Sequence, residues 1–375
     1  MKLLSVGLLL LTALFVQSVP ISHDEIVSKT AEGLRLLSLA EGADPEWVTE
    51  DQKLELKRAG KRFIDVTEVW EVQQTLPKAK VVQVNFPAPS HQNAVNPLIR
   101  NLSIPNMQSN LQQLTAFNNR YYRSSTGQQA SQFILDTVSA MAESRSDVTV
   151  EPFRHSWTQF SIVAKIAGSR AQSPVTILGA HMDSINLQNP QGGRAPGGDD
   201  DGSGSVNLIE VFRTLLAGNF RPSTPVEFHW YSGEEGGLLG SQAIATSYKR
   251  NGINVKAYMN LDMTAYFKPG TAEVIALQSD FVDSGLNTFT GQLIDAYSKL
   301  PWALDSPCGY ACSDHASWNQ QGYPTTFPFE ALTSQGNDNP RIHTTSDTLT
   351  QSGFSWSHSL EFAKVALAFA YEMAV

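Results

Sequence analysis

The stretch PVEFHWYSGEEGGLLGS, residues 225–241, reads as a buried strand, a glycine-flanked turn and the approach to a helix. Its apolar run leads straight into Glu234 and Glu235, side by side. Adjacent carboxylates at the end of a buried strand repel one another and cost desolvation, so a folded chain keeps them there for a cation or a reaction. The alternative is a solvated acidic turn, since Glu is a common surface residue.

Outward from this stretch the pattern repeats. QASQFILDTVSAMAES (129–144) has apolar residues at helical spacing, and VTVEPFRH (148–155) and FSIVAKIAG (160–168) read as strands. PVTILGAH (174–181) is a strand, followed by a helix near Ser205 to Leu216, and a further helix runs from about Ser241 to Lys249. VKAYMNLDM (255–263) and AEVIALQSD (272–280) are strands, LNTFTGQLIDAYSKL (286–300) a helix, YPTTFPFE (323–330) a strand and HSLEFAKVALAFAYEM (358–373) a helix. This alternation predicts an α/β fold with a mostly parallel mixed β-sheet sandwiched by helices.

In such a fold the ligand site forms beyond the carboxyl ends of the strands. There the sequence places His181-Met182-Asp183, Glu234-Glu235 and Asp262. Between the first two, GGDDDGSGS carries Asp199, Asp200 and Asp201 at a helix entry, and NPRIHTTSDT offers His343 in a polar loop. Taken singly, these are a core histidine, a helix cap and a loop residue. Together they point to a shared cation, and mixed imidazole and carboxylate donors suit zinc better than calcium or magnesium. On an extended backbone Asp183 points to the same side as His181, so it can fix the imidazole tautomer that binds metal.

Length and composition bound the remaining choices. The chain has 375 residues, 41% hydrophobic and 17% charged, as expected of one large globular domain with extra segments. A net charge of -9 and the absence of a basic stripe exclude a nucleic-acid partner. Residues 1–18, MKLLSVGLLLLTALFVQS, have the form of a secretory signal peptide and are too short for a comfortable membrane span. No later apolar run is long enough to cross a bilayer, so a secreted protein without membrane attachment is expected. Residues 19–88, rich in both charge signs, read as a removable propeptide with an approximate boundary, or else as a small independent domain. FPAPSHQNAVNP (86–97) has linker composition, and residues 89–375 form the body.

Cys308 and Cys312, the only cysteines, lie in CGYAC and can pair with each other, which fits an oxidising route. Such a bridge either fixes Tyr310 within the loop or tidies a surface turn. Asn101-Leu102-Ser103 has the pattern of a glycosylation acceptor.

HMDS, APGGDDDGSGS, YSGEEGGLLGS, NLDM, CGYACSDHASW and NPRIHTT occur here in the order and approximate spacing of the secreted co-catalytic dizinc aminopeptidases. The chain resembles that family from about residue 98 to its end, and its signal-plus-propeptide layout is similar to that of the fungal leucine aminopeptidases. The resemblance implies a phosphorylase/hydrolase-like fold and two Zn2+ per chain. His181 and Asp262 would bind one ion, Glu235 and His343 the other, and Asp200 both. It further implies Glu234 as general base, Asp183 as the group orienting His181, Tyr310 as oxyanion partner and a cis peptide after Asp200. Met263, Phe327, Phe329 and Ile342 match the family's apolar substrate pocket, which predicts N-terminal leucine and other large apolar residues. Thr333 stands where some relatives carry an aromatic. The expected partners are peptides with a free N-terminus and the propeptide in cis, and the expected state is a monomer. A single-zinc cyclase of the same fold, a carboxypeptidase using Arg341 and a noncatalytic ectodomain are the competing readings.

Overall fold

The computed structural model describes residues 21–77, 86–170 and 172–375. The signal-peptide reading of residues 1–18 lies outside them. Twelve strands run in chain order among the described residues: β1 (Leu34–Ser38), β2 (Glu46–Thr49), β3 (Ile64–Asp65), β4 (Val148–Phe153), β5 (Ser161–Ile166), β6 (Val175–His181), β7 (Val226–Tyr231), β8 (Val255–Asn260), β9 (Ile275–Leu277), β10 (Trp302–Leu304), β11 (Thr325–Thr326) and β12 (Pro328–Phe329). The main sheet has the order β11-β8-β6-β7-β5-β4. Its β11, β8, β6 and β7 are parallel, and β5 and β4 extend it antiparallel.

Side-chain alternation on β6 explains the layering. Leu178 and Ala180 face one core with Phe228 and Trp230 of β7, covered by the helices Gly202–Ala217 and Trp356–Ala374. Val175 and Ile177 face the other, with Tyr231, Tyr258 and Trp318, beneath the helix Leu239–Arg250. A sheet buried on both faces needs strands apolar throughout, and β6 and β7 are buried at every position. The expected mixed, helix-covered sheet is what forms.

Two local expectations change. FPAPSHQNAVNP is not all linker, because Gln92–Ile99 is helical despite Pro97 and buries Val95 and Leu98 in the main core. Tertiary burial outweighs the turn-like composition there. YPTTFPFE is not one strand: Thr325 and Thr326 pair with β8, whereas Pro328 and Phe329 pair antiparallel with β9 in a separate three-stranded sheet.

The N-terminal segment is a folded α/β unit. A three-stranded sheet, β2-β1-β3, packs with helices His23–Ala31 and Glu50–Arg58. Thr49 and Gln52 form a reciprocal capping box that starts the second helix. At its centre Asp65 is buried and accepts from Arg35 Nε and Nη2 at 2.8 and 3.1 Å and from Lys53 Nζ at 2.8 Å. Burial works against the charge, but Lys53 and Arg35 hold the carboxyl down at about 2. That is below an unfolded value of about 3.9, so this stabilisation of about 2–3 kcal/mol is complete above that value and fades as pH falls towards 2. Asp65→Asn should therefore lower the urea midpoint of the unit strongly at pH 6 and much less at pH 2.5. An equal penalty at both pH values would show that the network does not act through charge.

Candidate metal centre

The sheet order brings the site together. Strands β8, β6 and β7 are neighbours, so the segments leaving their carboxyl ends, with Asp262, His181 to Asp183 and Glu234-Glu235, converge on one spot. Asp199 to Asp201 enter from the side as the lead-in to the helix Gly202–Ala217.

The three adjacent aspartates do different things. Asp201 caps the helix, with Oδ1 accepting from Gly204 N at 2.9 Å and Met263 N at 3.0 Å, and Oδ2 from His181 N at 3.2 Å. It thus ties together the segments after β6 and β8. A Cβ on Gly204 would come within 2.2 Å of the Leu261 carbonyl, so this closeness needs glycine. Asp199 Oδ1 accepts from Ala265 N and its Oδ2 from Asn339 Nδ2. Asp347 accepts from the backbone N–H groups of Asp199 and Asp200. Held on both sides, Asp200 presents its carboxylate to the cluster, and the Asp200-Asp201 peptide is cis.

Two trios share Asp200. His181 Nε2 lies 3.2 Å from Asp200 Oδ1 and 3.4 Å from Asp262 Oδ1. His343 Nε2 lies 3.1 Å from Asp200 Oδ2 and 3.1 Å from Glu235 Oε2. Tetrahedral zinc with donors at about 2.0–2.1 Å separates those donors by about 3.3 Å, so both trios fit. His181 Nε2 and Asp262 Oδ1 are buried without a hydrogen-bond partner, as atoms reserved for an ion would be. Electrostatics agree. Against the effect of burial, His181 and His343 hold Asp200 well below the ordinary carboxylate range, and Glu235 and Asp200 raise His343 to about 10. The cluster calls for positive charge.

Asp183 plays two parts. His181 Nδ1 is 3.2 Å from the Asp183 carbonyl oxygen and 3.5 Å from its carboxylate, so the peptide oxygen is the nearer group fixing the ring. The carboxylate instead accepts from Glu234 N and Glu235 N, each at 3.1 Å. One carboxylate therefore aims both glutamates. Glu235 joins a trio, while Glu234 stands outside both and faces the cavity. Burial holds the Glu234 carboxyl well above the usual range.

The cavity has a volume of about 290 Å3. Met263, Phe327, Phe329 and Ile342 line it together, with Thr333 beside them. Met263 and His343 both hold positive φ, at 60° and 62°, an arrangement that non-glycine residues adopt where the surroundings enforce it. Cys308 and Cys312 form a disulfide at the cavity edge. Tyr310 stands apart, since its hydroxyl is 2.8 Å from Ser38 Oγ of the N-terminal unit and its ring packs on Phe281. His315 is buried beneath Phe327 with its Nε2 3.3 Å from the Asp280 carbonyl, a packing position. Asn101 is exposed.

Some contributors have no signal of their own in the sequence. Ser313 Oγ donates to Asp262 Oδ2 at 2.5 Å and is itself held by Asn260 Nδ2. Asp314, buried with both oxygens unpartnered, is pushed up to about 7 by burial. Lys57 of the N-terminal unit reaches Glu235 and, with Lys61, Arg62 and Phe63, closes one side of the cavity.

Comparison with known proteins identifies the family. The model of peptidase family M28 matches residues 161–370, more than half of the chain. Leucine aminopeptidase 1 of Fusarium vanettenii is 41% identical over 99% of this chain and 95% of its own length. Leucine aminopeptidase 1 of Coccidioides posadasii is 43% identical over 88% and 86%. Among solved structures, the LapA aminopeptidase of Legionella pneumophila superposes with a TM-score of 0.78 at 30% identity, covering 92% of this chain and 96% of that one. A family match of that extent, and identity held across nearly the whole length, place the chain within peptidase family M28.

Proposed function

We propose that the protein is a secreted zinc aminopeptidase that removes leucine and other large apolar residues from peptide N-termini, using two zinc ions and Glu234 as general base. The observation that carries this is the pair of trios sharing Asp200, with Glu234 beside them but in neither. His181, Asp200 and Asp262 would hold one ion and Asp200, Glu235 and His343 the other. Bound there, zinc polarises a carbonyl and lowers the pKa of water.

The chain's own residues supply the rest. Glu234 takes the proton of the attacking water and returns it to the departing amine, and its raised affinity for a proton suits that task. The body of the protein lines the cavity with carboxylates, among them Asp200, Glu234, Asp262 and Asp338, which favour a substrate's free ammonium. Arg341, the candidate clamp for a terminal carboxylate, is not among the lining residues, which disfavours a carboxypeptidase. The complete double set of ligands disfavours a single-zinc cyclase and a noncatalytic ectodomain. Met263, Phe327, Phe329 and Ile342 receive the first side chain.

Residues 19–88 act as a propeptide that restrains the enzyme in cis, and residues 1–18 direct it out of the cell. Several contacts support the restraint. Beyond the Lys57 contact, Asp65 N donates to the Gly237 carbonyl at 3.1 Å and Arg62 Nη1 to that of Cys312 at 3.2 Å. A Cβ on Gly237 would fall 2.8 Å from Asp65 N, so glycine permits the approach. Tyr310, engaged by Ser38, becomes free to serve an oxyanion when this unit leaves. The processed enzyme is a monomer, glycosylated at Asn101.

Metal analysis of the processed protein should give two zinc atoms per chain. Leucyl amide should be hydrolysed at least about a hundredfold faster than N-acetyl-leucyl amide, since burying the acidic cluster against a neutral group forfeits a charge pair. Equal rates on the two substrates would remove the aminopeptidase assignment, and faster cleavage of aspartyl than leucyl amide would overturn the pocket reading.

A further inference from the structure

Helix Glu50–Arg58 of the N-terminal unit points its last turn at the cluster. Lys57 Nζ pairs with Glu235 Oε2 and also donates to the Glu235 carbonyl oxygen at 2.9 Å. That carboxylate oxygen is the one lying 3.1 Å from His343 Nε2, within the trio completed by Asp200. The helix is fixed in this pose from two sides. Lys53, one turn earlier, is bound to Asp65 at 2.8 Å, and Arg58 Nε donates to the Leu187 carbonyl at 2.9 Å. Glu235 has a side chain only 1% exposed, so its partner is a buried countercharge rather than a surface lysine in passing. The other trio is different: His181 Nε2 and Asp262 Oδ1 have no hydrogen-bond partner.

We infer that Lys57 stands in for the second metal, so that in the unprocessed chain the Asp200–Glu235–His343 trio binds either the lysine ammonium or a zinc ion. This rests on the reading of the two trios as metal sites. The His181–Asp200–Asp262 trio loads in the precursor, and the second loads as the N-terminal unit withdraws. Competition of this kind is reciprocal. Docking of the unit weakens the second zinc by some factor, and the second zinc weakens docking by the same factor. The precursor is thereby kept short of the full metal set as well as covered, and metal loading itself favours release.

The test uses the full-length, metal-stripped chain titrated with zinc in a calorimeter. Wild type should bind one ion tightly and a second at least about tenfold more weakly, a typical coupling factor. Lys57→Met, which keeps an unbranched side chain one atom shorter and removes its charge, should bind two ions with the gap abolished. Lys61→Met, altering a lysine that lines the cavity without touching a ligand, should behave as wild type. Hydrogen exchange supplies a readout on the unmodified chain: residues 50–58 should exchange faster after the second equivalent of zinc than after the first. Equal second-site affinity in wild type and Lys57→Met, or unchanged exchange in the helix, overturns the competition while leaving the dinuclear site standing. A folded Lys57→Met chain that binds fewer than two zinc ions overturns the dinuclear reading, and the competition with it.

Discussion

Glu234→Gln is expected to lower kcat on leucyl amide by about a thousandfold or more, the upper part of the range for losing a general base, while the zinc content stays at two per chain. The geometry separates the two effects. Glu234 belongs to neither trio, so its carboxylate can be replaced without touching a metal donor. Its position is set by the backbone, since the N–H groups of Glu234 and Glu235 are both held by the Asp183 carboxylate at 3.1 Å. Glutamine keeps the shape and that hydrogen bond but cannot take a proton from water. Glu234→Asp keeps the chemistry and withdraws it by one methylene, so it should fall between wild type and Glu234→Gln. Kinetics with metal analysis on the same samples decide the matter. Full activity in a fully metallated Glu234→Gln would transfer the base to another group, and loss of zinc would make Glu234 a ligand.

The fold was legible because β6 and β7 are mostly apolar runs, buried at every position, that lead into charged residues, a pattern that a strand buried on both faces favours. Part of the candidate cluster was legible for the same reason: His181 closes a strand and Glu235 and Asp262 follow strand ends, whereas the division of the ligands into two sets came from the family resemblance and the lateral order of β8, β6 and β7 from the structure. Functional carboxylates at a strand end are conspicuous in sequence. Side chains that act by orienting them are not. Ser313 and Asp347 reach the cluster from loops distant in sequence, and neither stands at the end of an apolar run. Lys57 was visible only as one cation in a charged segment, because its meaning depends on where the N-terminal unit docks. The helix Gln92–Ile99 escaped for the opposite reason. Its composition is that of a turn, and what makes it helical is the burial of Val95 and Leu98 against the rest of the protein.

Asp200→Asn should cost metal as well as rate: zinc content should drop from two per chain to one or fewer after dialysis against a weak chelator, with kcat/KM down about a thousandfold. The reason is that Asp200 is the sole donor common to both trios, using Oδ1 towards His181 and Oδ2 towards His343. An asparagine has one acceptor oxygen and no charge, so it can complete one trio at most. It also removes the negative charge that helps to set the two imidazoles as they are. Asp199→Asn and Asp201→Asn provide the contrast, because those carboxylates hold backbone N–H groups of Ala265, Gly204, Met263 and His181 rather than an ion. Their substitution should lower the thermal midpoint and leave the zinc stoichiometry of the folded fraction at two. If Asp200→Asn retained both ions, or if all three substitutions lost metal equally, Asp200 would be one structural aspartate among three and the shared-ligand geometry would have no chemical meaning.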